Sequence, residues 1–87
     1  MPTVELFGQA RLLAGRRVVP VEAQTVGAAL CELARQFPRL VGPVLEPDGR
    51  PTSAYALNLS GRLFTTDLGQ ALGAREQLLL LSSLSGG

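Results

Sequence analysis

The sequence predicts a small α+β fold in which one main helix packs on one face of a mixed four- or five-stranded sheet. Three patterns predict it: apolar alternation at the start, one amphipathic stripe between residues 26 and 37, and four consecutive leucines near the end. The 87 residues form one domain with room for a single core. One helix on one sheet is the economical two-layer way to bury both apolar surfaces.

The first two strands are predicted at residues 2–8 and 18–22. Apolar and polar residues alternate with period two in residues 2–8, as in a half-buried strand, and Phe7 falls on the more polar face. Between the strands, residues 9–17 have possible helical character. Pro20 cannot donate a hydrogen bond to a strand ladder, so the second strand is expected at a sheet edge.

One helix is predicted over residues 26–37. The hydroxyl of Thr25 can accept a hydrogen bond from the exposed backbone donors of the first turn. Pro38 disfavours helical geometry at the residue before it and therefore ends the helix. The apolar residues of this segment share the stripe that is expected to face the core: Val26, Leu30, Leu33 and Phe37.

Three further strands complete the predicted sheet. Residues 53–59 and 62–65 are joined through Ser60-Gly61, a short hairpin signal. The last strand, residues 76–82, carries apolar side chains on both faces, which is typical of a central strand. It is expected beside the first strand, parallel to it, in the middle of the sheet. This order is the β-grasp, or ubiquitin-like, arrangement.

Composition excludes several classes of function. The chain contains no histidine, no lysine and a single cysteine, so metal sites, catalytic triads, lysine Schiff bases and an internal disulfide are not expected. The net charge is +1 and the eight arginines are spread along the sequence, which gives no sign of nucleic-acid binding. No stretch is long and apolar enough for a membrane span and no signal peptide is recognisable, so a cytoplasmic protein without a membrane partner is expected.

Cys31 has two interpretations. It lies off the apolar stripe and one turn from Arg35, and a nearby cation can favour a reactive thiolate. The alternative, which we favour, is a packing residue at the boundary of the core. Glu32 and Arg35 are expected to form a solvated helical pair without a catalytic role.

The chain resembles the MoaD and ThiS family of ubiquitin-like sulfur carriers, and is more similar to MoaD, the small subunit of molybdopterin synthase, in length and ending. The match follows the family's order and spacing over nearly the whole chain. The segments that carry it are Val4 to Arg11, Thr25-Val26 with Leu30, Phe37 to Leu40, Leu57-Asn58 and Leu84-Ser85-Gly86-Gly87.

The resemblance implies a carrier rather than an enzyme. A ubiquitin-activating-type enzyme of the MoeB/ThiF kind would use ATP to adenylate Gly87, and a sulfur donor would convert the adenylate to a thiocarboxylate. The sulfur would then pass to an acceptor such as the large subunit of molybdopterin synthase. No tightly bound cofactor and no metal is implied. Two alternatives stay open: a modifier joined through Gly87 to lysines of other proteins, and a carrier for cysteine, thiamine, tRNA or natural-product sulfur.

The terminus supplies the candidate reactive group. Residues 1–82 are expected to form the domain and residues 83–87 a flexible tail, which lacks Cβ atoms at its last two positions and can enter a narrow channel. Gly87 would carry the adenylate or thiocarboxylate. The residues expected to thread are Gly86, Ser85 and Leu84, and those expected to dock a partner are Leu78, Leu80 and Phe7.

Overall fold

The structure, a computed structural model, describes residues 1–82. The strands are β1 (Thr3–Leu6), β2 (Val18–Pro20), β3 (Tyr55–Leu59), β4 (Leu63–Thr65) and β5 (Gln77–Ser82). The helices are α1 (Gly8–Ala14), α2 (Val26–Gln36) and a 3-10 turn (Pro38–Leu40).

The five strands form one mixed sheet in the order β2-β1-β5-β3-β4. β1 and β5 are parallel, and the other neighbouring pairs are antiparallel. This is the predicted β-grasp arrangement, with the last strand beside the first at the centre and the proline-containing β2 at an edge.

β5 is paired on both sides over most of its length. Against β1 the register runs from Thr3 opposite Gln77 to Leu6 opposite Leu80. Against β3 every residue from Leu78 to Ser82 has a partner. A strand held by two neighbours has few unpaired backbone groups, so β5 is the element that locks the two halves of the sheet together.

The β3–β4 hairpin closes with the predicted Ser-Gly turn. Ser60 has φ 56° and Gly61 has φ 76°, and the Arg62 backbone N–H donates to the Leu59 carbonyl at 3.0 Å. Two successive residues with positive φ are the signature of the I′ turn, whose twist matches that of the flanking strands.

The segment with possible helical character is a helix of two turns, α1. It ends at Gly15, which has φ 71° and donates its N–H to the Arg11 carbonyl. No side chain at Phe7 caps its start. The Tyr55 hydroxyl, 45 positions away in the sequence, accepts a hydrogen bond from the Ala10 N–H at 3.0 Å instead. A tertiary contact thus satisfies a first-turn donor that a local cap would otherwise take.

α2 starts as predicted, with the Thr25 side chain accepting from the Ala28 N–H at 3.1 Å. It ends at Gln36, one residue before the predicted end. On its outer face Glu32 accepts hydrogen bonds from Arg35 and Gln36, which lower the pKa of Glu32 to about 2. This is the predicted solvated pair.

The loop before β5 also supports α2. The Leu68 and Gln70 carbonyls accept hydrogen bonds from the backbone of Gly27 and Val26. A Cβ at Gly27 would lie 3.1 Å from the Leu68 carbonyl oxygen, so this close approach favours glycine. A turn follows Asp67, whose carboxylate accepts a hydrogen bond from the Gly69 N–H at 2.9 Å.

The core lies between α2 and the covered face of the sheet. Its fully buried larger side chains come from every layer: Val4, Leu6, Val19, Val21, Val26, Leu30, Leu33, Leu40, Val44, Leu45, Leu78 and Leu80. Phe37, which was predicted in the core stripe, is only partly buried. Within residues 1–82 no helix has the length and hydropathy needed to cross a membrane.

The different burial of two adjacent leucines predicts different losses of unfolding free energy when each is replaced by alanine. Leu80→Ala removes a fully buried side chain and should lower the free energy of unfolding by about 2–5 kcal/mol. Leu81→Ala, on the partly exposed face, is the matched control and should cost clearly less. Urea unfolding of both variants measures the difference, and equal losses would contradict the assigned faces.

Candidate functional site at the end of the last strand

Ser82, the last described residue of β5, lies beside the start of α1, and we call this position the chain exit. β1 and β5 are parallel, so their carboxyl ends lie at the same end of the sheet. β1 continues directly into α1, and the Phe7 N–H donates to the Leu80 carbonyl at 3.3 Å. α1 therefore flanks the point at which residues 83–87 begin. Leu84, Ser85, Gly86 and Gly87, the predicted threading and reactive residues, lie outside the described residues.

The Tyr55 side chain contacts the elements that meet at the chain exit. It is opposite Ser82 in the β3–β5 ladder and only 8% exposed. Gly8 has φ 62°, and a Cβ there would lie 3.7 Å from the Tyr55 hydroxyl and 4.0 Å from the Ser82 Cβ. Because the same hydroxyl accepts from Ala10, one buried residue joins α1, β3 and the last residue of β5.

Two of the three predicted docking residues are in the core. Leu78 and Leu80 are fully buried, so no partner can contact them while the domain is folded. The β5 leucines that are accessible are the alternate pair, Leu79 and Leu81, which are half-buried on the other face. The physical reason is that four consecutive leucines do not reveal which parity faces the helix. Phe7, the third residue, is half-buried.

The face of the sheet opposite α2, which we call the open face, carries a row of side chains across four strands. In register, Glu5 is opposite Leu79, Leu79 is opposite Asn58, and Asn58 is opposite Phe64. Phe64 is 67% exposed, a large apolar side chain offered to solvent. An apolar face of this kind can mark a protein contact site.

Asn58 is an unexpected polar residue in this row. It is 6% exposed, and its Oδ1 is buried without a hydrogen-bond partner among the described residues. A buried acceptor without a partner costs about 1–3 kcal/mol. The sequence marked Asn58 only as part of a family resemblance and gave no sign of its burial.

A groove of about 700 Å³ lies beside the edge strand β4. Its walls are the loop 50–53 and the segment 64–69, and Tyr55 and Ala56 line its end nearest the chain exit. The groove has no cluster of titratable groups. No group of three or more histidine, cysteine, aspartate or glutamate side chains that could hold a metal occurs in residues 1–82.

Cys31 lies away from this end of the molecule. It is exposed on α2, and its Sγ would be 3.2 Å from a Cβ at Gly49, so it packs against the loop that contains Gly49. Arg35, the cation considered as its partner, is hydrogen-bonded to Glu32.

The solved structures similar to this chain are ubiquitin-like proteins. The crystal structure of small archaeal modifier protein 1 (SAMP1) from Haloferax volcanii is 31% identical, with 99% of this chain and 98% of that chain covered and a TM-score of 0.83. SAMP1 from Methanosarcina acetivorans is 21% identical, with 99% and 95% covered and a TM-score of 0.83. A chain of the Amycolatopsis orientalis BexX/CysO complex is 13% identical, with both chains fully covered at 100% and a TM-score of 0.80.

No protein-family model and no curated protein sequence matches the chain. The similar solved structures and the observed strand order show that this is a ubiquitin-like protein of β-grasp fold. At 31% identity over the whole length of SAMP1, it belongs to the MoaD/ThiS-like class of ubiquitin-like proteins that includes SAMP1. The 31% identity is with SAMP1, whereas the sequence resemblance pointed to MoaD.

The exit geometry predicts the effect of Tyr55→Phe. This change leaves the Ala10 N–H buried without its acceptor, which should lower the free energy of unfolding by about 1–3 kcal/mol. The matched change Phe64→Leu, on the exposed end of the open-face row, should cost much less. Chemical denaturation compares the two, and a neutral Tyr55→Phe would contradict the proposed anchoring role of the hydroxyl.

Proposed function

We propose that this protein carries sulfur on its C-terminal glycine. Gly87 is adenylated by a partner enzyme and converted to a thiocarboxylate, which donates sulfur in the synthesis of a cofactor. The domain itself is not an enzyme in this proposal. It supplies the carried group and the surface by which the partners hold it.

The observation that supports this proposal most directly is the position of β5. The central strand is paired with β1 up to Leu80 and with β3 up to Ser82, and the sequence then reads Ser83-Leu84-Ser85-Gly86-Gly87. Six residues counted from Ser82 reach at most about 20 Å when extended. A rigid strand followed by a short, slender segment is suited to placing one carboxylate in a buried catalytic site.

The chemistry needs activation because an ionised carboxylate is a poor electrophile. A Gly87 carboxylate oxygen attacks the α-phosphorus of ATP and pyrophosphate leaves, which gives an acyl adenylate. A sulfur nucleophile at the level of hydrosulfide then attacks the carbonyl carbon, and AMP leaves. If the donor is a persulfide, a thiol reductant releases the thiocarboxylate from the resulting acyl persulfide. ATP is thus a substrate of the partner, and no cofactor is held by this chain.

The recipient we propose first is molybdopterin synthesis, since the opening strand and the ending resemble MoaD. The large subunit of molybdopterin synthase would accept the sulfur, and a MoeB/ThiF-like enzyme would adenylate Gly87. Cysteine synthesis is a second recipient. A similar chain occurs in the BexX/CysO complex, so a protein of this fold binds another protein there.

A protein modifier is the second candidate function. The relative at 31% identity is named a modifier protein, which favours attachment of Gly87 to lysine side chains of other proteins. Because this chain contains no lysine, it could not be modified in this way by a second copy of itself except at its N-terminal amine.

We further propose that the open face contacts the partners. Leu79, Leu81 and Phe64 offer apolar surface there, and Phe7 is half-buried beside the chain exit.

Intact-mass analysis of the protein isolated from its native cell tests the proposal. Exchange of one oxygen for one sulfur at Gly87 supports the carrier. Branched Gly-Gly remnants on lysines of other proteins, with no sulfur-containing form, support the modifier. The absence of both species contradicts both functions.

Because the last two residues have no side chains, we predict that Gly87→Ala slows adenylation of the terminal carboxylate. The added Cβ widens the last residue and restricts its backbone, so adenylate formation should fall at least about tenfold, or about 1.4 kcal/mol of barrier, while the fold is retained. Ser83→Ala, which adds no Cβ, is the tail control and should leave the rate nearly unchanged. An unchanged rate of thiocarboxylate formation by Gly87→Ala counts against the proposal.

A further inference from the structure

Five of the eight arginines form no salt bridge within residues 1–82. Three others are paired, Arg35 with Glu32, Arg50 with Asp48 and Arg62 with Glu76. The unpaired arginines are Arg11, Arg16, Arg17, Arg39 and Arg75. All five are exposed. Four of them belong to α1 and its surroundings, a grouping that is not visible from their spacing in the sequence.

The fold brings these four residues to one side. Arg11 lies on α1, and two more arginines follow directly after the Gly15 cap. The carbonyl of Arg17 accepts a hydrogen bond from the Leu6 N–H at 2.7 Å, which holds this segment at the end of β1. Arg39 lies in the 3-10 turn, which packs against α1.

No acidic residue occurs in the sequence between Glu5 and Glu22, so α1 and the loop after it carry only positive charge. Leu12, next to Arg11 on α1, is 81% exposed, the most exposed large apolar side chain among the described residues. We call these five residues the basic cap: Arg11, Leu12, Arg16, Arg17 and Arg39.

The basic cap lies at the same end of the sheet as the chain exit. α1 begins next to the Tyr55 hydroxyl and Ser82, as the contacts of Gly8 show. An enzyme that draws residues 83–87 into a catalytic site must approach this end of the domain. It therefore meets an end of the domain that carries Leu12 and four arginines without a salt bridge among the described residues.

We propose that the basic cap docks on an acidic surface of the enzyme that adenylates Gly87, with Leu12 seated in an apolar depression within that surface. This inference rests on the proposed function. Exposed charges that form no salt bridge within residues 1–82 can gain Coulomb energy from the carboxylates of a partner and steer the encounter with it. Apolar side chains at the centre of a contact, surrounded by polar groups, are typical of protein interfaces.

A protein partner fits the cap better than a nucleic acid does. Nucleic-acid sites are usually strongly basic over a whole face, whereas this chain has a net charge of only +1. A phosphate backbone also gives Leu12 nothing to bury against, since its contacts are dominated by charge.

A pair of double charge reversals tests the inference. Arg16→Glu with Arg17→Glu changes the cap, and Arg62→Glu with Arg75→Glu makes the same change in net charge beside the start of β5, at the opposite end of that strand. The probe is the purified ubiquitin-activating-type enzyme of the organism that makes this protein. The readouts are ATP-dependent adenylation of the intact chain and thermal unfolding of each variant.

The cap reversal should lower kcat/KM for adenylation at least about tenfold in low salt, mainly through KM, because charge steers association. The control reversal should stay within about twofold, since exposed charges away from a contact contribute little. Added salt should slow adenylation of the unmodified protein and reduce the difference in rate between the cap reversal and the control reversal, because screening weakens exposed charge pairs. Leu12→Ser should also raise KM, with no change in the salt dependence.

Three outcomes overturn the inference. If the unmodified protein is adenylated and both reversals react equally, the cap is not a docking site while the proposed function stands. If the cap reversal leaves adenylation unchanged but abolishes binding to a total tRNA probe at physiological salt, the cap binds RNA instead. If the unmodified chain is never adenylated, the proposed function fails and the inference fails with it.

Discussion

The parallel pairing of β5 with β1 is the constraint on which the rest of the structure depends. It joins the two ends of the sequence at the centre of the sheet, with β3 closing the other side of β5. Leu78 and Leu80 then point into the core, where they contribute to the apolar burial that stabilises the domain. Without this pairing the sheet would divide into the three strands β5, β3 and β4 and the two-stranded pair of β1 and β2, which is marginal in water by itself.

The same pairing fixes where chemistry can take place. Since parallel strands end together, the chain exit and the start of α1 lie side by side, and Tyr55 ties them with one buried hydroxyl. The site is therefore not a set of catalytic side chains. In the proposed function it is the end of a paired strand that leads to one carboxylate, with the open face and the basic cap beside it. In the proposed function the partner activates the carboxylate, which needs no histidine or lysine on this chain.

Much of this architecture follows from local patterns, and the rest depends on contacts between distant residues. Thr25, Pro38 and the Ser60-Gly61 turn act on their neighbours, so the sequence located α2 and the hairpin. α1 was predicted only weakly because its first turn is supported by Tyr55, 45 positions away. Leu78 and Leu80 were predicted as docking residues but are buried. Four consecutive leucines contain no period that shows which side of β5 meets α2. The grouping of unpaired arginines likewise arises only when the 3-10 turn packs on α1.

Hydrogen exchange of the β5 amides tests most directly whether this strand is the rigid anchor of the protein. Groups that open only on global unfolding exchange with the full free energy of unfolding, whereas frayed ends exchange with almost none. We expect the amides of residues 78–81 to exchange only through global unfolding, with protection equal to the stability measured by denaturant. Exchange of these amides through a local opening, while β1 and β3 stay protected, would contradict the account.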